Sequence, residues 1–391
     1  MIKPVHPFPA RMAPELAFRA MGDLPSNSVV LDPMVGSGTV LRQAIEFGHS
    51  AIGYDVDPLA VLMSNVWASK ADVAEATEAL SSIVDAAMSL ANNSFVLQWL
   101  DNDEETLKFV DFWFAERQKQ ELRRLSYAIS ICKHSAAVVD VLKLGLSRII
   151  VTKERAASLA RDTSHSRPHR VTQENDFDVF GGFKKAVNQI LKRLSEVSQI
   201  GSGRAFIGDA RSLLDVDECS VDAVVTSPPY LNAIDYMRGH KLALVWLGYT
   251  ISELRIIRSG SIGAEKSLSD KASSLNNDEV MLEMGDLQNL PQRDRNMIFR
   301  YVDDMGRSLS EVERVLKPRG TGIFVVGNSC LKGVFIRNSQ AVISAAVATG
   351  LEIKGVYERE IPSTNRYLPI TGSQLGKRMR TETIISLQKP A

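Results

Sequence analysis

A short apolar run, "SVVLDP" at 28–33, ends in an acid and a proline. Its β-branched residues and abrupt stop predict a strand. The turn "MVGSGT" follows. "VLRQAIEFG" then spaces its apolar residues as a helix, closed by Gly48. "SAIGYDVDP" (50–58) reads as a second strand ending in acids. Strand, helix and strand in that order predict the start of a parallel sheet.

The period then changes. From about 72 to 150, apolar residues recur at three- and four-residue spacing, as at Leu80, Ile83, Val84, Ala87 and Met88. Helices are predicted in "DVAEATEALSSIVDAAMSL", "DEETLKFVDFWFAERQKQELRRLSYAIS" and "SAAVVDVLKLGLSRIIV". A polar stretch fills 152–176, and "FKKAVNQILKRLSEV" (183–197) is one more amphipathic helix. The alternation of strands and helices resumes at "RAFIGDA" (204–210) and "VDAVVTSPPY" (221–230). Residues 250–295 read as a polar loop or small insertion. Residues 299–320 read as a helix stopped by Pro-Arg-Gly. "TGIFVVGN", "LEIKGVYEREIP" and "TETIISLQ" are strands, with the helix "SQAVISAAVATG" among them. The predicted fold class is α/β, one sheet with a helical insertion. Residues 1–65 and 201–391 form the discontinuous sheet domain, interrupted by a mainly helical block at 66–200.

Composition changes this picture little. The 391 residues are 45% hydrophobic and 24% charged, with 46 basic and 46 acidic side chains. A nucleic-acid partner would therefore need positive charge concentrated locally. Cys132, Cys219 and Cys330 have no metal-ligand spacing and suit a reducing compartment. The N-terminal "MIKPVHPFPARMAPE" has no apolar core of a secretory signal, and no apolar run approaches the ~20 residues that span a bilayer. A soluble cytoplasmic protein without membrane contact is expected.

The candidate chemistry sits at strand ends. In "LDPMVGSGT" (31–39), Gly36 and Gly38 permit positive φ and a close approach of backbone to ligand. The spacing is neither G-x-G-x-x-G nor a Walker loop. Asp32 would repel a pyrophosphate and suits a cationic or amino-bearing ligand. Asp55 ends the second strand, where an acid accepts from ribose hydroxyls. Asp209 ends the third and is a candidate acceptor for an exocyclic amine. These acids would line one crevice at the carboxyl ends of the strands.

Together these stretches resemble the amino-group (N4-cytosine/N6-adenine) DNA methyltransferases. "LDPMVGSGT" is similar to their motif I, "YDVDP" to motif II, "IGDARSLL" to motif III and "TSPPY" to the catalytic motif IV. "HPFPARMAPELAFRAM" (6–21) resembles motif X, which precedes motif I in permuted members. The matches cover about residues 5–60 and 204–390, in the order X-I-II-III-IV, with an insertion between II and III. The resemblance implies a seven-stranded Rossmann-like methyltransferase sheet, S-adenosyl-L-methionine as cofactor and duplex DNA as substrate. Asp32, Pro33, Gly36, Gly38 and Thr39 would hold the methionine part, with Phe8 of motif X near its end. Asp55 would take the ribose and Asp209 the adenine amine. The catalytic group would be Ser227, Pro228, Pro229 and Tyr230. A cognate restriction endonuclease is a possible partner.

An exocyclic aromatic amine is a poor nucleophile because its lone pair is delocalised into the ring. The Ser227 hydroxyl and Pro228 carbonyl are candidate acceptors that draw its N–H bonds toward tetrahedral nitrogen. The prolines lock φ and so fix that carbonyl. Tyr230 offers a face on which a flipped base can stack. The Ser form of the motif is commoner in N4-cytosine enzymes, which favours cytosine N4 over adenine N6. An RNA base methyltransferase and a catalytically silent nucleic-acid-binding protein are the alternatives.

Substrate-side candidates are Asp235, Tyr236 and Arg238, with His240 and Lys241, directly after motif IV. Arg366 and Tyr367 lie in "STNRYLP" (363–369), between the last two strands. "LARDTSHSRPHR" (159–170) concentrates charge in Arg161, His165, Arg167, His169 and Arg170, without the donors of a metal site. Family members of this order usually place target recognition after motif III. Here the 66–200 and 250–295 regions are both candidates for reading DNA.

Overall fold

The computed structural model describes residues 5–6, 12–91, 94–152, 155–161, 168–231, 236–262, 276–361 and 381–391. Their contacts divide the chain into two units. One comprises Pro9–Ser64, Gln199–Ile234 and Arg258–Ala391; the other comprises Met1–Phe8, Asn65–Ser198 and Asp235–Ile257.

The first unit is built on a seven-stranded sheet. In chain order its strands are β1 (Val29–Asp32), β2 (Ser50–Asp55), β3 (Ser202–Ile207), β4 (Val221–Thr226), β5 (Leu316–Gly327), β6 (Glu352–Glu360) and β7 (Thr381–Gln388). Their order across the sheet is β6-β7-β5-β4-β1-β2-β3. All are parallel except β7, which runs antiparallel to both neighbours. This order, with its one reversed strand, is a seven-stranded sheet of the kind the sequence resemblance implied. The chain enters at β1, winds outward through β2 and β3, and returns to β4 on the other side of β1. The ends of β1 and β4 therefore flank the point where the winding reverses, which is where open α/β sheets bind ligands.

Burial explains the strand sequences. Val30 pairs with Ala51 on one side and Ala223 on the other, and Leu31 with Ile52 and Val224. Strands covered on both faces need near-continuous apolar runs, which "VVLD" and "VDAVVT" supply. Helix Gln292–Val315 packs Tyr301, Val302, Met305, Leu309 and Val312 into the core with Phe324, Val326 and Ile385. Helix Asn338–Ala348 adds Ala341, Val342 and Ala345.

Two expectations need correction. The Pro-Arg-Gly sequence does not end the helix, which stops at Val315, because Leu316 already pairs with Val221 as β5 begins. The register shift between Val221 and Ala223, with Arg319 at φ 64°, absorbs Pro318 there. Nor are the described parts of 250–295 irregular. They form helices Ile251–Gly260 and Asn277–Met284 and a 3₁₀ turn at Leu287–Asn289. Val280, Met284, Leu287 and Leu290 are buried in the sheet unit's core. Their polar neighbours hide that spacing in the sequence.

The second unit is mainly helical. Val73–Ser89, Glu104–Trp113, Glu116–Ile131, Ala136–Arg148 and Val179–Leu194 surround Leu80, Val84, Leu122, Leu125, Val141, Leu142, Phe183 and Val187. Asp72, Asp103 and Asp178 cap three of these helices by accepting backbone amides. The single helix expected over 103–130 is two, broken at Phe114 and Ala115. The break turns Phe114 inward, edge-on to the fully buried Trp246 at 5.0 Å. Trp246 follows helix Tyr236–Leu244, and Trp99 donates to the Val245 carbonyl at 2.9 Å. Residues 235–257 thus cluster with the helices, whereas the sequence reading placed them in the sheet domain. Among the described residues no helix is long and apolar enough to cross a membrane.

The core of the sheet unit is expected to be intolerant of voids. Leu309→Ala, at a fully buried position, should cost about 2–5 kcal/mol, read as a lowered denaturation midpoint at unchanged slope.

Candidate functional site

The carboxyl ends of β2, β1, β4 and β5 carry the site, and side chains join them in a row. Asp32, 3% exposed, ends β1. Its Oδ1 accepts the Thr226 hydroxyl at 2.6 Å and the Met34 amide at 3.1 Å. Thr226 is the last residue of β4 and the one before Ser227. A single hydrogen bond thus ties the glycine turn to the Ser-Pro-Pro-Tyr loop. Burial raises the pKa of Asp32 from 3.8 to about 7; the two hydrogen bonds oppose this and the charge of Asp55 adds to it.

The turn after Asp32 needs its glycines. Gly36 and Gly38 have φ of 49° and 79°. A Cβ on Gly38 would lie 2.9 Å from the Ser64 Cα, and Ser64 donates to the Gly36 carbonyl at 3.2 Å. Gly38 caps helix Thr39–Glu46 and, as a glycine, brings no side-chain acceptor to the amides of the first turn. Pro33 is buried at the head of the turn, and Thr39 is half-buried.

Asp55 is held differently. Its Oδ2 accepts the Gly36 amide at 2.9 Å and its Oδ1 the Asp57 amide at 3.0 Å, which braces the turn against β2. Asp209 is held differently again. Arg211 Nε lies 2.9 and 3.1 Å from its two oxygens and Nη2 is 2.6 Å from Oδ2. The same guanidinium donates from Nη1 to Asp304 at 2.6 Å. Burial opposes the charge on Arg211, but the bonds to Asp209 and Asp304 outweigh it and raise the pKa.

Beyond β4, the Ser227 hydroxyl donates to the Val325 carbonyl of β5 at 2.9 Å. Its one hydrogen is committed, so its oxygen lone pairs are left as acceptors. The Tyr230 hydroxyl lies 3.5 Å from Ser227 Oγ. Burial pushes the Tyr230 phenol up to about 12, with Ser227 and Arg359 opposing and Glu382 reinforcing the shift. Tyr230 is therefore neutral in any physiological medium. Pro228 is buried and Pro229 half-buried. Arg359 pairs with the buried Glu382 and with Glu15, both at 2.8 Å.

The structure thus brings Asp32, Pro33, Gly36, Gly38, Thr39, Asp55, Asp209, Ser227, Pro228, Pro229 and Tyr230 to one edge of the sheet. Tyr236 and Arg238 lie on helix Tyr236–Leu244, within the helical unit. His169 is exposed there, in the two-residue strand His169–Arg170 paired with Ala160–Arg161. Arg170 stands 5.4 Å over the Phe112 ring, and Arg161 donates to the Ser158 and Ala160 carbonyls. Phe8, His165, Arg167, Asp235, Arg366 and Tyr367 lie outside the described residues. Sequence reasoning missed Thr226, Ser64, Arg211 and Asp304. A signal existed for Asp304, an acid on the apolar face of its helix, three residues after Tyr301 and one before Met305.

No family model matches the chain. Among curated proteins, the Type II methyltransferase M.MvaI of Kocuria varians is 22% identical over 409 aligned residues, covering 95% of this chain and 86% of that protein. Type II methyltransferase M.MjaII of Methanocaldococcus jannaschii is 20% identical, covering 61% of each chain. M.BsoBI of Geobacillus stearothermophilus is 22% identical over 64% of this chain and 53% of its own length. This chain therefore spans most of the first relative and less than two thirds of the other two. Among solved structures, a SAM-dependent methyltransferase from Methanosarcina mazei aligns over 97% of this chain and 99% of its own, at 10% identity and a TM-score of 0.36. A TehB-like SAM-dependent methyltransferase from Corynebacterium glutamicum aligns over 96% and 87%, at 8% identity and a TM-score of 0.31.

Two outcomes follow from the turn. Gly38→Ala should cost at least the about 1–2 kcal/mol of left-handed strain, seen as a lower melting temperature. An NMR titration should find the Asp32 carboxyl protonating with a midpoint near 7. The folded state holds that proton more tightly than the unfolded chain. The Asp32 contribution to stability therefore falls as pH rises from 3.8 to about 7, and is level above it.

Proposed function

We propose that this chain is a site-specific DNA methyltransferase that uses S-adenosyl-L-methionine to methylate an exocyclic amino group of a flipped-out base, with cytosine N4 favoured. One observation carries the reading: the 2.6 Å bond from Thr226 to Asp32, which joins the glycine turn to the Ser-Pro-Pro-Tyr loop at the reversal of the sheet. The Type II methyltransferases similar to this chain support DNA as the substrate.

The residues present fit that cofactor. The turn has no basic side chain, and its buried carboxyl favours a cationic head over a phosphate. The amides at the start of helix Thr39–Glu46 have no side-chain cap and suit a carboxylate. Asp32, Pro33, Gly36, Gly38 and Thr39 would hold the methionine part, Asp55 the ribose and Asp209 the adenine. Bound there, S-adenosyl-L-methionine would supply a methyl group on a sulfonium, which leaves as a thioether.

The chain's own residues then act on the base. Ser227 Oγ, its hydrogen held by Val325, accepts from the amine, and the Pro228 carbonyl is the second acceptor. With its N–H bonds drawn to these two acceptors, the amine nitrogen would turn its lone pair toward the methyl group, and the aminium left after transfer would give up a proton to solvent past the same acceptors. A strong base is not needed before transfer, because that cation is acidic. The neutral Tyr230 ring is the stacking surface, worth on the order of 1–3 kcal/mol against the cost of flipping. Ser227 in place of a carboxylate favours cytosine N4; adenine N6 is the second reading. The 66–200 region, or the smaller 250–295 region, would read the target sequence.

Purified protein should transfer labelled methyl from S-adenosyl-L-methionine to duplex DNA, and nucleoside mass spectrometry should identify N4-methylcytosine. Ser227→Ala should lower kcat by at least about tenfold with little change in cofactor affinity, the loss of one acceptor made in the transition state. Label entering RNA but no DNA would overturn the proposal. Affinity for the cofactor should rise between pH 6 and 8, because its ammonium favours ionised Asp32. That dependence should vanish in Asp32→Asn.

A further inference from the structure

The loop after β3 is fastened to helix Gln292–Val315 at several points. Glu311 accepts the Leu213 amide at 2.8 Å. Arg314 donates to the Leu213 and Val216 carbonyls at 2.8 and 2.9 Å. Nearest to the strand end, Arg211 links Asp209 to Asp304. Asp304 is 7% exposed and sits on the core face of its helix among Tyr301, Met305 and Ser308. Burying a carboxylate there is costly unless it is paired, and apolar residues of similar size generally pack such positions at least as well. Stability alone is therefore a poor reason for an acid at 304.

Geometry supplies another reason. Arg211 meets both oxygens of Asp209 along one edge, and its own backbone amide bonds Oδ1 at 2.9 Å. These contacts come from three N–H groups, the Nε hydrogen being shared, against about four lone-pair sites on a carboxylate, so one acceptor position remains on Asp209 while its rotation is fixed. Asp304, at the far end of the guanidinium, holds the arginine in that pose.

We propose that Asp304, acting through Arg211, is a positioning residue that aims the Asp209 carboxylate at the exocyclic amine of the cofactor's adenine and so sets the preference for a 6-amino over a 6-oxo purine. This rests on the function proposed above. A 6-oxo purine presents an acceptor to Asp209 instead of a donor, so the correctly aimed carboxylate rejects it. A dissociation-constant ratio of roughly tenfold or more is expected from one charge-assisted hydrogen bond.

The test is titration calorimetry of the full chain with S-adenosyl-L-methionine and with its inosine counterpart. The unaltered protein should prefer the adenine form by that ratio. Asp304→Asn should reduce the ratio to within about threefold by weakening the adenine form only. Asp304→Glu should restore most of it. Arg211→Lys keeps the charge without the edge-on pair, should also lose the preference, and carries the test if Asp304→Asn does not fold. In an Asp209→Ala background, Asp304→Asn should change the ratio no further. Folded Asp304→Asn and Arg211→Lys proteins that retain the full preference would overturn this inference and leave the proposed function standing. No binding of either compound by the unaltered protein would overturn both.

Discussion

The hydrogen bond between Asp32 and Thr226 spans the reversal of the sheet, and the rest of the site is arranged about it. A doubly wound sheet leaves a gap where its helices diverge to opposite faces. Here the two strands bordering that gap end in a buried carboxyl and a buried hydroxyl in contact. Because Thr226 immediately precedes Ser227, the position of the catalytic candidate relative to the glycine turn depends on one short contact rather than on two independent loops. Ser227 extends the row to β5 through Val325, and Asp55 extends it to β2 through Gly36. Four neighbouring strand ends are thereby stitched together at their carboxyl edge.

The three strand-end acids look alike in the sequence and are unlike in the structure. Asp32 is buried and raised toward neutrality, so a cation can draw out its proton. Asp55 spends both oxygens on backbone amides, a role in shaping the turn as much as in meeting a ligand. Asp209 is clasped by a guanidinium that a second acid holds in turn. The difference lies in the partners rather than in the residue type. That is why spacing alone identified the positions without their electrostatics.

The sheet was legible because its signals are local: β-branched runs ended by acids or prolines, with helices between them. The glycine turn was legible for the same reason, since positive φ at Gly36 and Gly38 leaves its mark on composition. What escaped depends on distant parts of the chain. Arg211 and Asp304 are 93 positions apart, and Thr226 and Asp32 are 194 apart. The helix Asn277–Met284 was obscured because it follows a polar stretch and one of its buried positions is the polar Asn277. The Pro-Arg-Gly segment misled because a register shift lets β5 continue through a proline that would end most elements. Residues 235–257 were assigned by proximity in sequence to motif IV, whereas Trp246 seats them among the helices.

The chain passes back and forth between its two units. Each unit takes three separate stretches, and the two sets alternate along the chain. A ribosome delivers β1 and β2 long before β3 and β4, with most of the helical unit made in the interval. The helical unit is itself incomplete until Trp246 has emerged. Neither unit corresponds to an uninterrupted stretch of gene, so no single cut separates them. Evolution can lengthen or replace the helical block at its joins to the sheet, but it cannot exchange that block as one cassette without also carrying the later segment that completes it.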